Sequence, residues 1–137
     1  MPKSLELARV LVVDDELSSR LTLQTLLEAG GYSVDVAGSA AEAFSKLDEG
    51  QYELVLSEVE VDSPQAGLRV LSYARVKPYK PATALVTAYR EAKASRYPVG
   101  DEQQVSVNAE NVSALLGRVA DLIGLRAQRR AQRAAAQ

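Results

Sequence analysis

The sequence predicts a doubly wound α/β domain with a parallel sheet. Strand-like apolar runs alternate with helical patterns five times along the chain. The connections between them are short, which suits crossover units. The most apolar run, Val10 to Val13, leads straight into Asp14, Asp15 and Glu16. A strand buried on both faces reads as such a run, and acids are tolerated only where it leaves the core. In open parallel sheets the C-terminal edge is where ligands bind. An acidic first turn of the following helix, favoured by the helix dipole, explains the same acids without any function.

The first strand is predicted over residues 9–14 and the first helix over 16–29, with Leu17, Leu21, Leu23, Leu26 and Leu27 as its apolar face. Gly30-Gly31 ends that helix. Residues 32–36 alternate apolar and polar, the pattern of a half-buried strand at a sheet edge. Ser39 and Glu42 form a capping box, and Ala40, Ala43, Phe44 and Leu47 carry a second helix over 40–49. The third strand runs from Tyr52 to Val59 and ends in an acidic loop with Glu58, Glu60, Asp62, Ser63 and Pro64. A third helix covers 65–76, with Leu68, Leu71 and Ala74 on one face, before Pro78 and Pro81 stop it. Ala82 to Thr87 is a fourth buried strand, 89–97 has room for one or two helical turns, and Val105 to Val107 is a short fifth strand. Val112, Leu115, Leu116, Val119, Leu122 and Ile123 recur at helical spacing and define the last helix.

Composition bounds the chemistry. At 137 residues, 47% of them hydrophobic and 25% charged, the chain is expected to be one globular domain. With no cysteine there are no disulfides or thiolate metal sites, and with no histidine there is no His-dependent catalysis, His–metal site or phosphohistidine. No apolar run approaches the ~20 residues that span a membrane, and no apolar signal segment follows Met1-Pro2-Lys3-Ser4, so a cytoplasmic, membrane-free protein is expected. The net charge of −2 hides an asymmetry. Arg126, Arg129, Arg130 and Arg133 lie in the last twelve residues with no acid, leaving 12 basic and 18 acidic side chains in the remaining 125. The domain is therefore expected over 1–124, with 125–137 a basic Arg/Ala/Gln-rich tail that extends the last helix into solvent or frays.

In a sheet ordered 2-1-3-4-5, strands 1, 3 and 4 bring Asp14, Asp15, Glu58 and Thr87 to one edge. Carboxylates there suit a hard cation such as Mg²⁺, and a threonine hydroxyl suits a phosphoryl oxygen. Acids this close repel, so at least one pKa is expected to rise.

In combination, Val-Leu-Val-Val-Asp-Asp-Glu, Tyr-Glu-Leu-Val-Leu-Ser-Glu, Pro64-x-x-Gly67-Leu68 and Leu-Val-Thr-Ala resemble the receiver domain of bacterial two-component response regulators, over residues 9 to about 124. The resemblance implies a flavodoxin-like fold of order 2-1-3-4-5 and phosphorelay signalling. A sensor kinase's phosphohistidine would donate to an aspartate ending strand 3, beside Mg²⁺ held by the first acids. It places Asp14, Asp15, Glu58 and the backbone carbonyl of Glu60 at the metal, with Asp15 a direct ligand, and Thr87 at a phosphoryl oxygen. It implies contact with sensor kinases or output partners, and a homodimer through strand 5 and the last helix, where Tyr89, Tyr97 and Val105 supply apolar residues.

Several positions depart from the family's pattern. The acceptor position holds Glu58, the lysine position Asn108 followed by Ala109, and the aromatic switch position Val105. Tyr97 to Asp101 replaces the usual Gly-Ala-Asp segment. Glu58 reaches about 1.5 Å further than an aspartate would. Misplacement of about 1 Å costs roughly 100-fold in a transfer that depends on alignment. Without the lysine, charge on the transferred group goes unbalanced. Three readings of Glu58 follow: a pseudo-receiver that acts by protein–protein contact with weak Mg²⁺ at most and no catalytic residue, a permanent phosphate mimic, or a poor but real acceptor. The expectation is the first. A doubly wound phosphatase or phosphotransferase is disfavoured because it needs an Asp, a Lys and a cap. Nucleic-acid binding through the tail is disfavoured because four arginines have no interleaved aromatic.

Overall fold

The computed structural model describes residues 8–88, 103–107 and 111–136. The elements are β1 (Arg9–Val13), α1 (Leu17–Ala29), β2 (Ser33–Ala37), α2 (Ala40–Glu49), β3 (Leu54–Ser57), α3 (Ala66–Arg75), β4 (Ala82–Ala88), β5 (Gln104–Val107) and α4 (Val112–Ala135). The strands form one parallel sheet in the order β2-β1-β3-β4-β5. This is the fold class and strand order that the sequence predicts, with β2 at an edge. The helical turns expected over 89–97, and Tyr89, Tyr97, Asn108 and Ala109, lie outside the described residues.

Two apolar layers sandwich the sheet, because successive strand side chains point to opposite faces. Val10 and Val12 of β1 face α1 and α4, where they meet Leu27, Leu115 and Val119. Leu11 and Val13 face α2 and α3, where they meet Leu47, Val70 and Leu71. Both layers being buried is why β1 reads as an unbroken apolar run. β3 is shorter than expected: its register with β1 runs from Val10↔Leu54 to Val13↔Ser57, and Tyr52 and Val59 lie outside it.

The apolar face of α1 is narrower than its five leucines suggest. Leu23 and Leu27 are buried, but Leu17 is 59% and Leu21 49% exposed. Arg20, Leu23 and Leu27, at i, i+3 and i+7, form the stripe over the sheet, and Leu17 and Leu21 are rotated off it. At α2, Ser39 Oγ accepts from Glu42 N at 3.0 Å, as the capping box requires. The reciprocal arm differs: Glu42 Oε1 accepts from Gly38 N at 2.6 Å rather than from the cap residue itself.

The residues after Gly124 continue α4 as helix to Ala135. Their anchorage is polar. Arg126 donates from Nε to the Lys80 carbonyl at 2.9 Å and from Nη2 to the Tyr79 carbonyl at 2.6 Å. Arg130 Nη1 donates to the same Tyr79 carbonyl at 3.3 Å.

Candidate functional site at the C-terminal sheet edge

The parallel register decides which side chains meet. Val13 pairs with Ser57, and Ser57 with Leu85. Asp14 and Glu58 therefore leave adjacent strands at the same level, tied by Glu58 N donating to the Val13 carbonyl at 3.1 Å. Thr87 stands two residues beyond Leu85 on β4, opposite Ser106 of β5. These residues share the edge that the sequence assigns them.

The acids do not form the first turn of a helix. α1 begins at Leu17, and its first turn holds no acidic residue. Asp14, Asp15 and Glu16 make the turn between strand and helix. There Asp14 Oδ1 accepts from Glu16 N at 2.9 Å, the local bond that makes Asp a turn residue. Asp14 is only 6% exposed. Burial pushes its carboxyl above the usual carboxylate range; the Glu16 amide bond opposes this, Asp15 and Glu16 add to it, and Arg20 opposes it. The rise expected from crowded acids is thus present, with burial its leading cause.

Two residues not singled out from the sequence complete the edge. Arg20 Nη1 donates to the Asp14 carbonyl at 3.0 Å. The helical spacing to Leu23 and Leu27 is the signal that places Arg20 there. Ser57 is fully buried, and its Oγ donates to the Glu58 carbonyl at 2.9 Å, fixing the turn after β3. Above that turn lies Gly67. A Cβ there would stand 1.6 Å from the Glu58 carbonyl oxygen, so only glycine admits the contact. Gly67 N donates to the Val59 carbonyl at 2.8 Å, docking the start of α3 on the loop that carries Glu58 and Glu60.

Among the described residues, no three acidic side chains gather closely enough to hold a metal ion. Asp14 is buried and bonded to a backbone amide, Asp15 and Glu60 are exposed, and Glu58 is half-buried. Such a donor set fits an ion bound through one or two carboxylates and several waters, the habit of Mg²⁺, and not a closed protein cage. Thr87 Oγ1 is buried and finds no hydrogen-bond partner among the described residues, a hydroxyl available to an oxyanion. Val105 is fully buried, packed with Leu115, Val119 and Leu122. It adds no surface to the β5–α4 side, so the expected apolar contribution of Val105 to a dimer face is corrected.

Comparison with known proteins agrees with this geometry. The family model described as the response regulator receiver domain matches residues 10–98. The transcriptional regulatory protein ZraR of Escherichia coli (strain K12) is 35% identical over 82 residues, which cover 58% of this chain and 18% of that protein. The transcriptional regulatory protein ResD of Bacillus subtilis (strain 168) is 33% identical over 84 residues, 61% of this chain and 35% of that protein. The chain therefore spans under a fifth of ZraR and about a third of ResD. Among solved structures, the response regulator TrrA of Thermotoga maritima, in complex with Mg²⁺-BeF, aligns with a TM-score of 0.62 at 28% identity, over 85% of this chain and 99% of that one. The REC domain of the PhyR response regulator of Erythrobacter litoralis aligns with a TM-score of 0.69 at 16% identity, over 87% and 92%, a likeness of fold alone. With the sheet order, the acid turn after β1 and the match over residues 10–98 in agreement, the chain belongs to the response regulator receiver domain family of two-component systems.

Proposed function

We propose that this receiver domain signals by protein contact and does not depend on phosphoryl transfer. The observation that carries the reading is Glu58 at the end of β3, level with Asp14, where an acceptor one methylene shorter would be expected. Supporting it, the Asp14 carboxylate is already bonded to a backbone amide, and the switch position is filled by the buried Val105. Asp14, Asp15, the Glu60 carbonyl and Glu58 would hold Mg²⁺ weakly, and the ion would supply charge to offset acid repulsion. The chain's own residues define the contact surface. Leu17 and Leu21, exposed on α1 beside the acid turn, offer apolar area to a sensor kinase or an output protein. The domain is read as a cytoplasmic, non-enzymatic module.

A second reading has one observation in its favour. A Thr87 hydroxyl with no partner among the described residues is what a retained phosphoryl-oxygen site would leave, and it favours Glu58 as a slow acceptor or a phosphate mimic. Intact-mass spectrometry after incubation with Mg²⁺ and a small acyl phosphate separates the readings, with Glu58→Asp run alongside. No added phosphoryl group on the parent is expected. Gain on Glu58→Asp alone means that the pocket survives and only the nucleophile changed. Gain on the parent overturns phosphorylation independence.

A further inference from the structure

The opposite edge of the sheet carries a concavity. Before β4, the loop at Tyr79 and Lys80 meets the extension of α4 and the end of α3. Between them lies a cavity of about 180 Å³ lined by Arg75, Lys80, Arg126, Arg129 and Arg133, with no acidic side chain among the described residues of its lining. Arg126, Arg129 and Arg133 fall at i, i+3 and i+7, so one face of α4 delivers three guanidinium groups to it.

Arg126 and Lys80 are held in this wall by hydrogen bonds to neutral backbone carbonyls. Arg126 holds the Tyr79 and Lys80 carbonyls, at 2.6 and 2.9 Å. Lys80 Nζ donates to the Arg75 carbonyl at 3.1 Å, and Arg75 Nε donates to Thr83 Oγ1 at 3.1 Å. Lys80 itself sits at φ 43°, a left-handed conformation uncommon outside glycine. Arg129 and Arg133 are exposed. Burial pushes Arg126 below its usual range, with Arg130 and Arg133 adding to this and Glu53 opposing it. The Glu53 carboxylate also accepts from the Arg9 amide at 2.6 Å. Cations converging on one hollow repel unless an anion lies among them.

We propose that this hollow binds the diphosphate group of a small phosphorylated molecule. Arginine forks match phosphoryl oxygens two at a time, and several cations placed around one point suit a multiply charged group better than a single carboxylate. The volume equals that of roughly six waters, room for linked phosphoryl groups with any organic part left outside. A nucleic-acid strand fits less well: the cations converge instead of tracking a groove, and residues 125–137 contain no aromatic for a base to stack on.

The test is calorimetric titration of the full chain, without Mg²⁺, using pyrophosphate, ADP, orthophosphate and adenosine. Arg129→Ala/Arg133→Ala removes two exposed lining cations while leaving the Arg126 anchor, and alanine favours helix. Circular dichroism checks that the helix content persists. Saturable one-to-one binding of pyrophosphate and ADP is expected, tighter than orthophosphate, absent for adenosine, and weakened at least tenfold in the double variant. Glu58→Asp is expected to leave it unchanged, since Glu58 lies at the other edge of the sheet. Absence of saturable binding, or equal affinity in the double variant, overturns the proposal. So does a labelled single-stranded oligonucleotide that binds more tightly than pyrophosphate, which would reassign the arginines to nucleic acid.

Discussion

Asp14 carries its charge at a cost. Its carboxyl is buried, and Asp15 and Glu16 stand beside it in the turn. A folded-state pKa above the unfolded one means that the folded chain holds the proton more tightly. Stability contributed by this group is therefore present at low pH and is lost as pH rises through the raised pKa. Asp14→Asn keeps an oxygen to accept from Glu16 N and removes the charge. It is expected to raise the melting temperature at pH 7, with the gain shrinking to nothing as pH falls below the ordinary carboxylate range. Thermal melts of both proteins across that range check it; a variant less stable at pH 7 would mean that the Arg20 side of the turn outweighs burial. The acid was legible because a charge directly after four apolar residues has few places to go. Arg20 was not. It is a lone cation on a leucine-rich helix, and five leucines do not show which stripe faces the sheet, so Leu17 and Leu21 read as part of the apolar face. The Asp35 cluster was equally hidden. Burial acts to raise the Asp35 pKa, but Tyr52 OH donating at 2.7 Å and Arg9 Nη2 at 2.9 Å outweigh it and hold it low. Its members lie 17 and 26 residues from Asp35 in sequence, beyond any local pattern.

At the scale of elements, two helices are fixed in ways that a substitution can separate. α3 docks on β3 through Gly67, whose missing Cβ admits the Glu58 carbonyl. Because the clashing atom is backbone, Gly67→Ala must push α3 off the loop, and a loss of about 3 kcal/mol is expected in urea denaturation. Gly117 of α4 is the control. A Cβ there meets nothing within 4 Å, so Gly117→Ala is expected to gain about 0.5–1 kcal/mol from helix propensity. Loss at both positions would point to a general intolerance of glycine replacement. The motif around Gly67 was visible in the sequence, but the close approach that demands it appears only when α3 and β3 are placed together. The α4 extension shows the converse. Helix propensity made the continuation legible, whereas its anchorage was not, because the partners of Arg126 are backbone carbonyls with no signature in side-chain pattern. Charge-assisted bonds are worth about 1.5–3 kcal/mol when shielded, and partial exposure lowers that. Arg126→Ala is therefore expected to cost about 1 kcal/mol and to increase amide hydrogen exchange over residues 125–135; unchanged exchange would mean that the extension is held by propensity alone.

At the scale of the whole molecule, the described residues at the two ends of the sheet differ in charge. Acids gather at the C-terminal edge and arginines at the N-terminal edge, and the modest net charge of −2 conceals both. A receiver that switches must pass an event at the acid edge to a distant surface, which needs an element with two arrangements of similar energy. Close-packed cores resist such motion unless a side chain is free to change place. Along β5 the relevant side chain is Val105, fully buried against Leu115, Val119 and Leu122, and a small β-branched residue has one packed position rather than an inside and an outside one. The expectation is that an occupant of the acid edge is felt locally and goes no further. Adding Mg²⁺ with beryllofluoride to ¹⁵N-labelled protein should shift amide resonances around residues 14–16, 58–60 and 87, and leave those of 104–107 and 112–123 in place. Asp15→Asn should weaken even the local shifts, since it removes an exposed carboxylate of the turn. Shifts that reach β5 and α4, and that vanish in Asp15→Asn, would mean that the acid edge does drive the far surface through a route other than an aromatic side chain, and phosphorylation-independent signalling would then be the wrong reading of Glu58.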